Sequence, residues 1–139
     1  MKIPCVFIHL NDTRVLHKTI PQALNFNNDV VVIGDEPVSE YCNNNGVKFI
    51  NYKDLYSNYV HMSSNGFWVE KLCFLRWFLI NEYIKQNNID TVFYCDSDVM
   101  LYCDVSEEWK NYDQFDAVLC HRTCGSTSYF TKTGIDNFC

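Results

Sequence analysis

Two aspartates, Asp96 and Asp98, stand two residues apart directly after an apolar run and are the residues best placed to do chemistry. The run 92–95 is β-branched and aromatic, as in a buried strand, so the carboxylates lie where that strand surfaces. In extended backbone they would face the same way while Ser97 points away. Two carboxylates make a hard oxygen site suited to Mg²⁺ or Mn²⁺ and completed by substrate phosphates. The alternative is an Asp-Ser-Asp turn that merely closes a strand.

Composition and charge limit the class of partner. The 139 residues are 47% hydrophobic and 16% aromatic, enough for the core of one globular domain. The formal charge of -6 argues against a nucleic-acid or anionic-membrane surface, so a phosphate-bearing ligand would need a local cation. No apolar run approaches the roughly 18 residues of a transmembrane segment. A strand beginning at Ile3 leaves no room for a signal peptide, and we therefore expect a cytoplasmic protein.

The eight cysteines favour free thiols over a disulfide framework. Cys5, Cys73, Cys95 and Cys120 lie inside apolar patterns, where cysteine behaves as a small hydrophobe. This placement indicates a reducing compartment. The run 120–124, Cys-His-Arg-Thr-Cys, could be half of a zinc site, but no second pair with suitable spacing accompanies it.

The order of the predicted elements is that of an α/β fold, in which a β-α-β opening favours a right-handed crossover. The elements are a strand at 3–10, a helix from 13 that Pro21 kinks or delays, a strand at 29–35, a helix or loop at 37–46, a strand at 47–50, a polar loop at 54–66, a helix at 67–86, the acidic strand, a short helix opened by Asp104, a strand at 116–120, a strand-like run at 128–130 and a helix start at 133–138. The long loop is a candidate functional segment because loops of that length are uncommon as mere connections.

Several motif classes are absent from the sequence. There is no Gly-x-Gly-x-x-Gly, no Gly-Lys-Ser/Thr phosphate loop and no Gly-x-Ser-x-Gly. Dinucleotide oxidoreductases, P-loop NTPases and serine hydrolases therefore lack their phosphate cradle or nucleophile here.

Together these residues resemble the nucleotide-sugar half of the GT-A-fold glycosyltransferases, which carry a DxD motif. The resemblance lies in Ile33-Gly34-Asp35, the long helix with Arg76, the run Asp96-Ser97-Asp98, and Asp104. It implies an α/β, Rossmann-like GT-A half-domain over 1–139, with a mostly parallel central sheet flanked by helices. It also implies that Asp96 and Asp98 bind Mn²⁺ or Mg²⁺ at the diphosphate of a nucleotide-sugar donor, expected to be a UDP-sugar. The metal would neutralise charge on the leaving nucleoside diphosphate.

The resemblance extends to further donor-binding residues. In this family the loop after the first strand contacts base and ribose, and a helix cation lies near the donor. The residues so implied are His9, Leu10, Asn11, Asp35, Arg76, Asp96, Ser97 and His121. A structural reading stands beside each: a polar loop, a strand end, a solvated helix arginine or a structural histidine. No residue is assigned as catalytic, and the acceptor, whether glycan, protein or small molecule, is unknown.

The chain also departs from the family pattern. A GT-A domain continues for roughly another hundred residues, within the usual size of one domain, and supplies acceptor contacts and often a late histidine as third metal ligand. We therefore expect the C-terminal acceptor-binding part to be lacking, with exposed apolar surface and possible self-association. The alternatives are a non-catalytic nucleotide-sugar-binding domain and a haloacid-dehalogenase-type aspartyl phosphatase, whose first Asp is the nucleophile. The phosphatase motif usually lies on the first strand, which carries no acids here.

Overall fold

A mostly parallel β-sheet forms the centre of the fold. The structure, a computed structural model, describes residues 2–55, 60, 62, 67–121 and 124–139. The strands are β1 (Cys5–His9), β2 (Val30–Gly34), β3 (Lys48–Asn51), β4 (Thr91–Asp96), β5 (Ala117–His121) and β6 (Cys124–Thr131). Within the described residues they form a six-stranded sheet in the order β3-β2-β1-β4-β6-β5. The first four run parallel, and β6 is antiparallel to both of its neighbours. The predicted Rossmann-like α/β fold is confirmed.

Helices cover both faces of the sheet. They are α1 (Leu16–Leu24), α2 (Glu36–Asn45), α3 (Phe67–Asn87), α4 (Val105–Trp109) and α5 (Lys132–Phe138), with a short 3₁₀ helix at Tyr52–Asp54. On one face Phe7 and Cys95 pack with residues of α1, α2 and α4, and on the other Val6 and Tyr94 pack with residues of α3 and α5. The central strands are apolar without alternation because both of their faces are buried.

The predicted elements are present, with differences at their ends. Helix α1 begins at Leu16 and contains Pro21, so Pro21 does not delay its start. Its N-cap is Val15, although Asp12 and Thr13 are residue types that cap helices more readily. The reason is local: the Asp12 carboxylate accepts hydrogen bonds from Arg14 instead. The cap at Asp104 is confirmed, since its side chain accepts from the backbone N–H groups of residues 106 and 107. Most of the predicted loop 54–66 lies outside the described residues.

The strand-like run at 128–130 lies in the second half of the eight-residue strand β6. All eight cysteines are unpaired in the structure. Within the described part of the chain, no helix has both the length and the apolar character needed to cross a membrane.

Candidate functional site

The candidate site lies at the carboxyl ends of β1 and β4. In the sheet, β2 lies on one side of β1 and β4 on the other, so the strand order reverses at β1. Ligands in open α/β sheets bind at such a switch point. A cavity of about 550 Å³ opens there. It is lined by Ile8, His9, Leu10, Asn11, Val15, Leu72, Cys73, Arg76, Tyr94, Asp96, Ser97 and Asp98. Seven of the predicted site residues are thus brought together at one cavity.

The acidic turn consists of Asp96, Ser97 and Asp98. Strand β4 ends at Asp96, and the chain then turns, with the Val99 N–H donating to the Asp96 carbonyl at 3.0 Å. The backbone is therefore not extended from Asp96 to Asp98, and that part of the prediction is wrong. Both still line the cavity, with Asp96 partly buried and Asp98 exposed.

Arg76 and Tyr94 fix the Asp96 carboxylate. The Arg76 Nη1 lies 2.8 Å from Asp96 Oδ1, and the Tyr94 hydroxyl donates to the same oxygen. Arg76 also donates to the Tyr94 hydroxyl at 3.3 Å. Its guanidinium lies over the rings of Trp77 and Tyr94, with 4.5 and 5.4 Å to their centroids. Burial, together with the hydrogen bond to Asp96, raises the pKa of Tyr94 far above its usual range, so this hydroxyl remains a donor.

His9 connects the loop after β1 to the acidic turn. Its Nδ1 lies 2.8 Å from Ser97 Oγ, and its Nε2 contacts the Asp12 carbonyl. Because a carbonyl only accepts, Nε2 carries a proton, and in the neutral ring Nδ1 accepts from the Ser97 hydroxyl. Ser97 thus has a structural contact in addition to its place in the cavity wall.

Asp35 fixes the conformation of the same loop from outside the cavity. Asn11 has a φ of 69°, a left-handed conformation that asparagine tolerates better than most residues. Its N–H donates to both Asp35 carboxylate oxygens, at 3.1 and 3.0 Å. At Gly34, a Cβ would lie 2.7 Å from the His9 carbonyl oxygen and 2.6 Å from Val38 Cγ1. The Gly-Asp pair that ends β2 therefore supports the loop that forms one wall of the cavity.

His121 is not brought to this site. It ends β5, the edge strand, where it is exposed, and β6 lies between β5 and the acidic strand β4. Residues that the sequence did not predict also line the cavity, chiefly Tyr94 and Leu72. Their spacing could have shown them: Tyr94 precedes Asp96 by two residues on one strand, and Leu72 precedes Arg76 by four on one helix.

Amide side chains of α1 and the residues just after it position the segment that follows the acidic turn. The Asn27 Nδ2 donates to the carbonyls of Ala23 and Cys103, both at 3.1 Å, and its Oδ1 accepts from the Val105 N–H at 2.9 Å. The Gln22 Nε2 donates to the Leu101 carbonyl at 3.1 Å.

The donor set fits a divalent cation that a ligand helps to bind, and does not fit a metal enclosed by protein. Among the residues that the structure describes, no three His, Cys, Asp or Glu side chains converge as metal ligands. The cavity contributes two carboxylates, one of them already contacting Arg76. Mg²⁺ is commonly bound through one or two carboxylates plus substrate phosphates and water, so two are sufficient when a phosphate is present.

Solved structures share this fold. A cytidylyltransferase from Leptospira borgpetersenii serovar Hardjo-bovis (strain JB197) matches with a TM-score of 0.61 and 17% identity, over 99% of this chain and 63% of that protein. A glycosyltransferase involved in the glycosylation of the major capsid of PBCV-1 matches with a TM-score of 0.43 and 14% identity, again over 99% and 63%. No protein-family model and no curated protein matches the sequence. This chain thus shares the α/β fold of the cytidylyltransferase and spans less than two thirds of its length.

Proposed function

We propose that the cavity binds a nucleotide-sugar, expected to be a UDP-sugar, and that the chain belongs to a metal-dependent glycosyltransferase. One observation supports this above all: Arg76, Asp96 and Asp98 line one cavity at the carboxyl ends of parallel strands. A chain with a net charge of -6 needs a local cation to bind a diphosphate, and Arg76 supplies one beside the acidic turn.

The residues divide into three roles in this proposal. Arg76 binds a diphosphate oxygen through its guanidinium. Asp98 and Asp96 would bind Mn²⁺ or Mg²⁺, which supplies charge neutralisation on the leaving nucleoside diphosphate. The loop formed by His9, Leu10 and Asn11 lines the same cavity as α3, and in this proposal it contacts the base and ribose.

Two alternatives use the same cavity. The first is a domain that binds the nucleotide-sugar without turning it over. The second is nucleotidyl transfer, which the fold shared with a cytidylyltransferase favours. An aspartyl phosphatase fits less well, because its nucleophile would be Asp96, whose Oδ1 already contacts Arg76 and Tyr94.

Calorimetry with UDP, with and without Mn²⁺, tests the binding site first. We expect UDP to bind in the presence of Mn²⁺ and to bind at least tenfold more weakly after the Mn²⁺ is chelated. Without the metal, the negative diphosphate faces the negative carboxylates of Asp96 and Asp98. Equal affinity in both conditions would remove the metal from the proposal, and no binding of any nucleoside diphosphate would reject it.

Product analysis then separates the three readings. Release of UDP from a panel of UDP-sugars supports sugar transfer. Release of pyrophosphate from CTP and a sugar phosphate supports nucleotidyl transfer. Metal-dependent binding with neither product supports a binding domain.

A further inference from the structure

A pair of exposed cysteines, neither of which lines the cavity, lies at the end of the β5–β6 hairpin. Cys120 is on β5 and Cys124 opens β6. The Sγ of each lies 3.3 Å from the hydroxyl of Ser126, so the two sulfurs are at most twice that distance apart. The ladder pairs His121 with Cys124 and is irregular between Leu119 and His121, which leaves Cys120 outside the regular pairing.

The surroundings of Cys120 favour its thiolate. Hydrogen bonds from Ser126 and Thr127 lower the pKa of Cys120 to about 6, so that most of it is ionised near neutral pH. When protonated, its sulfur donates to the Cys124 carbonyl at 3.5 Å, which keeps it beside the start of β6. A thiolate with a second thiol within reach is the arrangement of thiol–disulfide exchange.

Other cysteines lack this combination. Cys5, Cys42 and Cys95 are buried, and burial raises the pKa of each thiol. Cys73 is exposed but lies on α3, in the wall of the cavity.

We propose that Cys120 and Cys124 form a redox-active thiol pair that exchanges with a low-molecular-weight disulfide such as oxidised glutathione. The Cys120 thiolate attacks one sulfur of that disulfide, forms a mixed disulfide and releases one glutathione thiolate, which takes a proton from water. The Cys124 thiol then loses its proton, attacks Cys120 Sγ and releases the second glutathione. Two protein thiols are oxidised, and one disulfide is reduced to two thiols.

The test uses the whole chain and oxidised glutathione near neutral pH, followed by acid quenching, alkylation of the remaining thiols and peptide mass spectrometry. The wild-type chain should form a Cys120–Cys124 disulfide, while Cys73 stays reduced over the same time. Cys124→Ser should accumulate glutathione on Cys120, because no second thiol then resolves the mixed disulfide. Cys120→Ser should leave Cys124 unmodified over the period in which the wild-type chain reacts fully.

Ser126→Ala is the matched variant for the activating contact. It removes the hydroxyl that touches both sulfurs without changing a cysteine. Near neutral pH it should slow iodoacetamide alkylation of Cys120 several-fold, whereas at an alkaline pH at which Cys120 is ionised in both proteins the two should react alike. Glutathione on Cys73 at the same rate as on Cys120, or a mixed disulfide on Cys120 that persists in the wild-type chain, would overturn the proposal.

Discussion

The Nη1 of Arg76 donates to the Oδ1 of Asp96 across 2.8 Å, which joins helix α3 to the end of strand β4. Both side chains are partly buried, with 18% and 31% of their surfaces exposed. Asp96 therefore has a protein counter-charge without any ligand. A diphosphate that entered the cavity would compete with Asp96 for the Arg76 guanidinium. A bound cation would then take the place of the guanidinium beside the Asp96 carboxylate.

Replacing Arg76 should weaken nucleotide binding. A hydrogen bond to a charged group contributes roughly 1.5–3 kcal/mol, so we expect Arg76→Ala to lower UDP affinity about tenfold or more in calorimetry. Arg76→Lys keeps the positive charge but not the paired N–H donors of the guanidinium, so its UDP affinity should lie between those of the wild type and Arg76→Ala. Lys85→Ala on the same helix breaks an exposed pair with Asp136 and is the control. Unchanged affinity in Arg76→Ala would show that Arg76 serves only to orient Asp96.

Asp98→Asn should abolish the Mn²⁺ dependence of UDP binding and leave the fold intact. Asp98 is exposed on the acidic turn, and an exposed substitution of this kind usually changes the free energy of unfolding by less than about 0.5 kcal/mol. Asp113→Asn, an equally exposed carboxylate near β5, is the matched control. The readout is UDP affinity with and without Mn²⁺, combined with a thermal melt. A Mn²⁺ response equal to that of the wild type would show that Asp98 binds no metal.

Asn27→Ala should destabilise the chain. The side chain is 5% exposed, and its loss leaves the Cys103 carbonyl and the Val105 N–H without their partner. Because each buried unsatisfied group costs about 1–3 kcal/mol, urea unfolding should show a loss of about 2–6 kcal/mol. Asn28→Ala, at the exposed neighbouring position, should change little. Equal stability of the two variants would mean that the segment after the acidic turn is fixed by other contacts.

Buried thiols should make the fold sensitive to alkali. Burial raises the pKa of Cys42 to about 11 and that of Cys95 to about 12, from a usual value of 9.0. Between the usual and the raised pKa the unfolded chain releases a proton that the native state keeps, so stability is complete below about pH 9 and falls as pH rises towards 12. Thermal melts over this range measure the slope. Cys95→Val should flatten it and Cys73→Val, at an exposed position, should not; the same slope in both variants would contradict this account.

The sequence predicted where the strands lie along the chain better than it predicted which strands lie next to each other in the sheet. Apolar runs ending at Gly34 and Asp96 identify buried parallel strands, because burial on both faces requires uninterrupted apolar residues. No local pattern tells that β6 inserts between β4 and β5, so the distance of His121 from the acidic turn could not be foreseen.

The candidate site was foreseen where it depends on residue type and missed where it depends on tertiary contact. Asp96 and Asp98 stand out by spacing alone. The contact of Arg76 with Asp96 spans 20 positions and that of Asn27 with Val105 spans 78, so neither could be derived from local propensity. At Ser97 two local tendencies competed, and the turn preference of Asp-Ser-Asp prevailed over extension of the strand.

Gly125 permits the close approach of the hairpin to α3, and we expect Gly125→Ala to be costly. A Cβ there would lie 2.6 Å from two ring carbons of Trp77. The indole cannot move aside cheaply, since it is 8% exposed and packs against the rings of Tyr94 and Phe130 at centroid distances of 5.4 and 5.5 Å. Overpacking of this kind costs about 1–3 kcal/mol, which urea unfolding would measure.

Urea unfolding of a second variant, Gly46→Ala, separates steric from backbone effects. Gly46→Ala has no Cβ neighbour within 4 Å and costs only the strain of its φ of 65°, about 1 kcal/mol. Trp77→Phe combined with Gly125→Ala should cost less than the sum of the two single changes, because the smaller ring makes room for the added methyl group. Strictly additive costs would show that the added methyl group does not meet Trp77 and that the hairpin moves away from α3 instead.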